Sequence, residues 1–440
     1  MVVTEQDGHA EVICSVAPAT NFPEISDTDA SHTTLWVEKD NDQNNKNKSH
    51  ASVIIAVRDP HSSPHATASQ VLTKFRASAV VRASSTNIRS KDMDSNHLWS
   101  VLGARALDWW WNGLSATILT YGASRTGKSF SLFGDDSGIG QVPEILVKLF
   151  KRIENSSSKV TFAVSCWELK GDSAVDLLHP SGVSNARVAT RRIVCNFVAV
   201  RVPDLLAAQT VLDMARRRSK NNDPRSHSKP KLRPNRAHLF LKFVLHNESS
   251  NTVSELNIVD LVGFRGHRSK LLDGDLTSTT STEYTHYSSV RSVGSTSTSN
   301  QDAAVPAHVS NQQQLECLRA LLADLARGGD GRGVTRGVRG SLARILKPML
   351  TSSRTFFLAT VSSLRLHYTS LVDTLRLGNK VRAIPFRCRA QRAQDWSVAK
   401  LISENDILSF DDLRLLQRRR HKYHKVLRYV RAVLHLTYYV

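Results

Sequence analysis

The eight residues Gly122-Ala-Ser-Arg-Thr-Gly-Lys-Ser129 follow directly on the apolar run Ala116-Thr-Ile-Leu-Thr-Tyr121. A strand that runs into Gly-x-x-x-x-Gly-Lys-Ser has the spacing of a loop that cradles nucleotide phosphates, and it demands a helix on its far side. Gly122 and Gly127 let the backbone curl closely, so that the amides of Ala123, Ser124, Arg125 and Thr126 can face the phosphates. Lys128 can reach the terminal phosphates as a point charge, and the Ser129 hydroxyl can hold Mg²⁺ directly. A second acidic element fits the same chemistry: Asp260 ends the apolar run that begins at Val253, where a carboxylate can reach Mg²⁺ through its water shell.

Composition limits what the rest of the chain can be. At 440 residues with 40% hydrophobic content, a substantial core is possible and disorder throughout is excluded. Lysine and arginine number 59 against 39 acidic residues, a net charge of +20. An acidic macromolecular partner is therefore expected, whether nucleic acid, an anionic membrane or an acidic protein polymer. The five cysteines lack CxxC spacing, which argues against a disulfide framework or a zinc site and for a reducing, intracellular compartment. No basic start with an apolar core opens the chain and no run of 18 apolar residues occurs, so a soluble protein without a transmembrane segment is expected.

Along the chain, residues 1–51 mix Asp, Asn, Ser and Thr without a sustained period and read as a disordered arm. Val53-Ile-Ile-Ala-Val57 is a short strand candidate closed by Asp59-Pro60, and Leu98 to Trp111 has helical spacing. Helices are predicted over 141–153 and 203–218, and strands over 160–169, 174–178, 237–245 and 253–261. The stretch near 277–300 is rich in Ser and Thr and reads as an insertion, whereas Leu315, Leu318, Leu322 and Leu325 share one helical face. Residues 386–440 read as a basic, partly helical tail with no convincing coiled coil.

The order of these pieces resembles a kinesin motor domain over roughly residues 52–385. Gly138-Ile-Gly-Gln-Val-Pro143 is similar to the family's Gly-Ile-Ile-Pro segment, and Trp167 to Leu178 to the strand that turns into its Asp-Leu-Leu element. Asn235-Arg-Ala-His238 resembles the remains of the first switch, Ser-Ser-Arg-Ser-His, and Asp260-Leu-Val-Gly-Phe-Arg265 the second, Asp-Leu-Ala-Gly-Ser-Glu. The helix around Leu315 to Ala326, the strand Arg354 to Ser363 and the helix Leu371 to Lys380 follow in the family's order.

The resemblance implies an α/β P-loop NTPase fold with a central, mainly parallel sheet flanked by helices on both faces. It also implies ATP with Mg²⁺ at the phosphate loop, microtubules as partner and a cytoplasmic, cytoskeletal setting. Arg236, Asp260 and Gly263 take the catalytic switch positions, and Arg336, Arg339, Arg344 and Lys347 are candidate microtubule contacts. Three departures bear on activity. Pro234 and Asn235 stand where the family has paired serines, Arg265 replaces the Glu that pairs with the first-switch Arg, and the adenine-holding Arg-x-Arg-Pro is reduced to Val57-Arg-Asp-Pro60. Weakened ATP hydrolysis is expected. A non-hydrolysing nucleotide-binding microtubule adaptor remains the alternative, with a nucleic-acid-binding P-loop protein behind it.

Overall fold

The computed structural model describes residues 5–17, 35–39, 53–58, 72–82, 98–135, 138–180, 184–187, 197–221, 237–264, 307–335, 340–392, 401–403 and 418–421. One sheet of twelve strands organises them. Nine of its strands lie in line: Ser184–Arg187, Ser173–Asp176, Val160–Lys170, His238–Asn247, Thr252–Asp260, Ala116–Gly122, Arg354–Ser362, Glu11–Ala17 and Ala79–Arg82.

The half of the sheet that carries the phosphate loop is parallel, from Thr252–Asp260 through to Ala79–Arg82. Along that line the other half is antiparallel: short turns join Val160–Lys170 to Ser173–Asp176 and His238–Asn247 to Thr252–Asp260, whereas Val160–Lys170 and His238–Asn247 pair across a long connection that carries the helix Leu205–Asn221. The sheet is thus mixed, and the expected parallel character holds only in the half that carries the phosphate loop.

Alternation of side chains along each strand divides the interior into two cores. Ile118, Val164, Ile258, Phe356 and Leu358 face one side, where they meet the helices Ala104–Trp111, Gln141–Glu154 and Leu205–Asn221. Leu119, Val259, Leu261, Phe357 and Ala359 face the other, against Ala307–Ala326, Ser341–Ser352 and Tyr368–Val381. Helices on both faces explain why Ala116–Gly122 is buried at all seven positions and reads as an unbroken apolar run. Trp110 anchors the first layer: its indole donates to the Ser254 carbonyl at 3.1 Å, and the Ser254 hydroxyl donates back to the Trp110 carbonyl at 3.0 Å.

The expectation of a disordered arm over residues 1–51 does not hold where the chain is described. Glu11–Ala17 is a buried strand of the central sheet, parallel to Arg354–Ser362 with Phe356 opposite Glu11. Its one buried charge is paired, since Glu11 meets Arg105 at 2.5 Å and also binds Arg354. Leu35–Lys39 is also a strand, paired with Val53–Arg58 and Leu72–Ala77 in a separate antiparallel sheet of three. Val53–Arg58 is therefore not the first strand of the central sheet. That place belongs to Glu11–Ala17.

The tail boundary at 386 shifts for a similar reason. Pro385–Arg389 pairs antiparallel with Glu5–His9, Gln391–Arg392 with Thr252 and Val253, and Leu401–Ser403 runs parallel to Ala199–Arg201. The part of the C-terminal segment that the structure describes is largely strand, with a helical turn at 418–421. The Ser/Thr-rich stretch near 277–300 lies outside the described residues, and no described helix is long and apolar enough to cross a membrane.

Candidate functional site

Gly122 closes its strand directly beside Thr360, its partner in the neighbouring strand. A Cβ at residue 122 would come within 2.2 Å of the Thr360 carbonyl oxygen, so only glycine permits the chain to turn there. The loop then passes through two left-handed residues, Arg125 at φ 68° and Gly127 at φ 92°, before the helix Lys128–Phe133 begins. Arg125 holds an unusual conformation for a side-chain-bearing residue. The Thr126 hydroxyl pins the bend, donating to the Ala123 carbonyl at 2.8 Å and lying 2.7 Å from the Thr360 hydroxyl.

Lys128 is buried, and its ammonium donates to the carbonyls of Gly122 at 3.0 Å and Ala123 at 2.6 Å. Burial lowers its pKa to about 8, against the opposing pull of the Asp260 carboxylate. The Ser129 hydroxyl donates to Asp260 Oδ2 at 2.5 Å, and the Thr120 hydroxyl lies 3.3 Å from Asp260 Oδ1. A hydroxyl at a helix start beside a strand-end carboxylate is a hard oxygen donor set suited to Mg²⁺ with phosphate oxygens completing the shell. The residues present thus fit both a nucleotide phosphate chain and its metal ion.

The segment after Asp260 lies against this loop. The Ser124 amide donates to the Phe264 carbonyl at 3.2 Å and its hydroxyl to the Gly263 carbonyl at 3.3 Å. Gly263 approaches so closely that a Cβ there would lie 2.5 Å from the Ser124 Cα. The Val262 amide donates to His238 Nδ1 at 3.2 Å, and burial pushes the His238 pKa down to about 3, which keeps the ring neutral.

The structure thus brings Gly122, Ala123, Ser124, Arg125, Thr126, Gly127, Lys128, Ser129, Asp260 and Gly263 together in one place. Arg236, Pro234, Asn235 and Arg265 lie outside the described residues, as do Arg336 and Arg339. Arg344 lies away from the loop, half-buried, and donates to the Ser341 hydroxyl at 2.8 Å, next to the start of its helix; Lys347 is half-buried on the same helix.

Sequence reasoning missed Thr120 and Thr360 as members of the site, and it placed His238 in the first-switch resemblance without giving its side chain a role. Thr120 had one usable signal, a hydroxyl two residues before the first loop glycine. Its register opposite Asp260 becomes visible only in the sheet.

A family model for the kinesin motor domain matches residues 36–282, more than half of the chain. The chain belongs to the kinesin motor-domain family. Human kinesin-like protein KIF13A is 24% identical over 305 residues, covering 65% of this chain but 15% of that protein. Kinesin-like protein KIF28 of Rattus norvegicus is 28% identical over 203 residues, 42% of this chain and 19% of its own length. The chain therefore spans less than a fifth of these kinesin relatives.

Among solved structures, a KIF14 dimer in its two-heads-bound state, with AMP-PNP and in complex with a microtubule, superposes with a TM-score of 0.60 at 18% identity. It covers 89% of this chain and 98% of that one. A kinesin motor ATPase mutant gives 0.54 at 13% identity, with 85% and 98% covered. At these identities the likeness carries the kinesin fold.

Proposed function

We propose that this kinesin-family chain binds ATP with Mg²⁺, associates with microtubules and hydrolyses ATP slowly. The observation that carries the reading is the Lys128, Ser129 and Asp260 arrangement, joined to the Gly263 segment at the end of a kinesin-type parallel half-sheet. Lys128 would leave the Gly122 and Ala123 carbonyls to meet the β- and γ-phosphates, while loop amides other than that of Ser124, which the Phe264 carbonyl engages, would hold the remaining oxygens. Ser129 would hold Mg²⁺ directly and Asp260 through water; the ion, when bound, neutralises charge building on the transferred phosphoryl group. Gly263 would orient its amide towards the terminal phosphate, and Arg236 would supply a cation from the first switch.

Slow turnover follows from three residues. Pro234 and Asn235 lack the hydroxyls that position Mg²⁺ and water, and Arg265 stands in sequence where the family has the Glu that pairs with the first-switch Arg, here Arg236, so a closing ion pair would be replaced by like charge. At a separation of about 4 Å and an effective dielectric near 20, that exchange turns roughly 4 kcal/mol of attraction into comparable repulsion before solvent relaxes. Acidic tubulin suits the net charge of +20, with Arg336, Arg339, Arg344 and Lys347 as contact candidates and the cytoplasmic microtubule array as the setting. We take the motor unit to extend from Glu5 through Arg392, because Glu5–His9 pairs with Pro385–Arg389 and Gln391–Arg392 pairs with Thr252 and Val253 of the central sheet.

The deciding experiment measures steady-state ATP hydrolysis with and without microtubules, alongside co-sedimentation across a salt series. The reading expects pelleting that weakens as salt shortens the Debye length below about 8 Å, and slow stimulated hydrolysis. ATP binding with no hydrolysis at all would select the adaptor; failure to pellet at low salt combined with tight DNA or RNA binding would overturn both.

A further inference from the structure

Tyr121 is the residue before Gly122, and Phe264 is the residue after Gly263, so the two aromatic side chains flank the meeting point of the phosphate loop and the second-switch segment. Their rings lie 5.4 Å apart, and Tyr121 also stacks on Phe357 at 5.8 Å. Onto this pair comes one side chain from outside the sheet. Arg319, on the helix Ala307–Ala326, sets its guanidinium 4.9 Å from the Phe264 ring centroid and 5.7 Å from that of Tyr121, and its Nε donates to the Tyr121 hydroxyl. Burial holds the Tyr121 phenol above its ordinary pKa, so the hydroxyl stays neutral and accepts this bond. About two turns earlier on the same helix, Gln312 donates to the Gly263 carbonyl at 3.4 Å.

We propose that Arg319 is a positioning residue that clamps the Gly263–Phe264 turn onto the phosphate loop, and that this clamp links the Ala307–Ala326 helix to the nucleotide site. Three features support it. A half-buried guanidinium over two buried aromatic rings is a favourable contact, and it joins elements far apart in sequence. Leu315, Leu318, Leu322 and Leu325 are buried on this helix, so it moves as a rigid rod and carries Arg319 with it. Phe264, finally, stands where the second-switch pattern Asp-Leu-Ala-Gly-Ser-Glu has a serine, a residue that offers no ring to a cation. A shift of the helix would therefore pull on Phe264 and Tyr121 together, and through them on both sides of the Gly263–Ser124 contact.

The coupling half of this inference rests on the microtubule reading above; the clamp itself does not. Hydrogen exchange of the full chain without nucleotide tests the clamp directly. Arg319→Ala should speed amide exchange in the segments 121–124 and 261–264 by about fivefold or more, Arg319→Lys should restore part of the protection, and adding Phe264→Ser to Arg319→Ala should add little. Unchanged exchange, or fully additive effects, would overturn the clamp. Release of a fluorescent ADP analogue then tests the coupling. Microtubules should alter release in the wild type, and Arg319→Ala should reduce that effect at least about fivefold while pelleting is retained. An undiminished effect in Arg319→Ala would overturn the coupling. Release in the wild type that ignores microtubules would overturn it too, by removing its partner, while the exchange result stands on its own.

Discussion

Ser129 and Asp260, 131 positions apart in the chain, share a hydrogen bond of 2.5 Å between the first turn of the phosphate-loop helix and the end of the neighbouring parallel strand. The pair has a simple origin. Thr120 lies opposite Asp260 in the parallel register, so the strand end is level with the loop, and the Thr120 hydroxyl steadies the carboxylate from below.

Lys128 makes the site pH-dependent. Its folded pKa of about 8 lies below the ordinary 10.5, so between these values the unfolded chain binds more protons than the folded one. Stability without nucleotide should therefore rise as pH climbs from about 8 to 10.5, and the cost of the buried charge should be fully present below 8, at roughly 3 kcal/mol. Nucleotide affinity should move the other way, weakening above pH 8 as the ammonium is lost. Lys128→Ala should remove most ATP binding and flatten both profiles, which equilibrium denaturation and a fluorescent-ATP titration across pH would read.

Gly263→Ala should separate the second-switch segment from the phosphate loop. The added methyl would meet the Ser124 backbone at 2.5 Å, and backbone cannot swing aside as a flexible side chain can. The expected outcome is a folded protein destabilised by about 1–3 kcal/mol, with ATP affinity down about tenfold or more. Wild-type affinity in this variant would show that the contact is incidental to the site.

His238 should contribute an acid-sensitive element. Its folded pKa of about 3 lies below the ordinary 6.5, so its stabilising contribution is present above 6.5 and is lost as pH falls towards 3. The slope from this one residue approaches about 1.4 kcal/mol per pH unit within that window. His238→Leu should cost about 1–3 kcal/mol at pH 7, by orphaning the Val262 amide, and should lose that portion of the slope. Chemical denaturation of both proteins between pH 4 and 7 would resolve the difference.

Turnover should respond to repair of the switches. On the proposed reading, Arg265→Glu should raise the ATPase rate by supplying an ion-pair partner for Arg236, and Pro234→Ser with Asn235→Ser should raise it further and more than additively, since the three would then act on one closing step. Rapid turnover by the unmodified chain, in the range of about 1 to 10³ s⁻¹ common to enzymes, would contradict the premise. Steady-state kinetics of the single, double and triple variants decides it.

The phosphate loop was legible in the sequence because its chemistry is local. Eight consecutive residues carry the turn, the cation and the metal hydroxyl, and the apolar run before them can only be a buried strand. The hairpin Val160–Lys170 with Ser173–Asp176 and the helix Gln141–Glu154 were readable for the same reason, since period and turn residues lie within one short window.

What the tertiary structure decided is everything whose partner lies far along the chain. Glu11–Ala17 carries a glutamate and a serine in a polar neighbourhood and reads as part of an unstructured arm. It becomes a core strand because Arg354–Ser362 lies beside it, and because Arg105 and Arg354 neutralise Glu11. Thr360 and Arg319 carry no local pattern at all, and Thr120 only its place two residues before the first loop glycine. Their roles come from sheet register and from a helix packed across the strand ends, and register is set by burial of whole faces rather than by any neighbour in sequence.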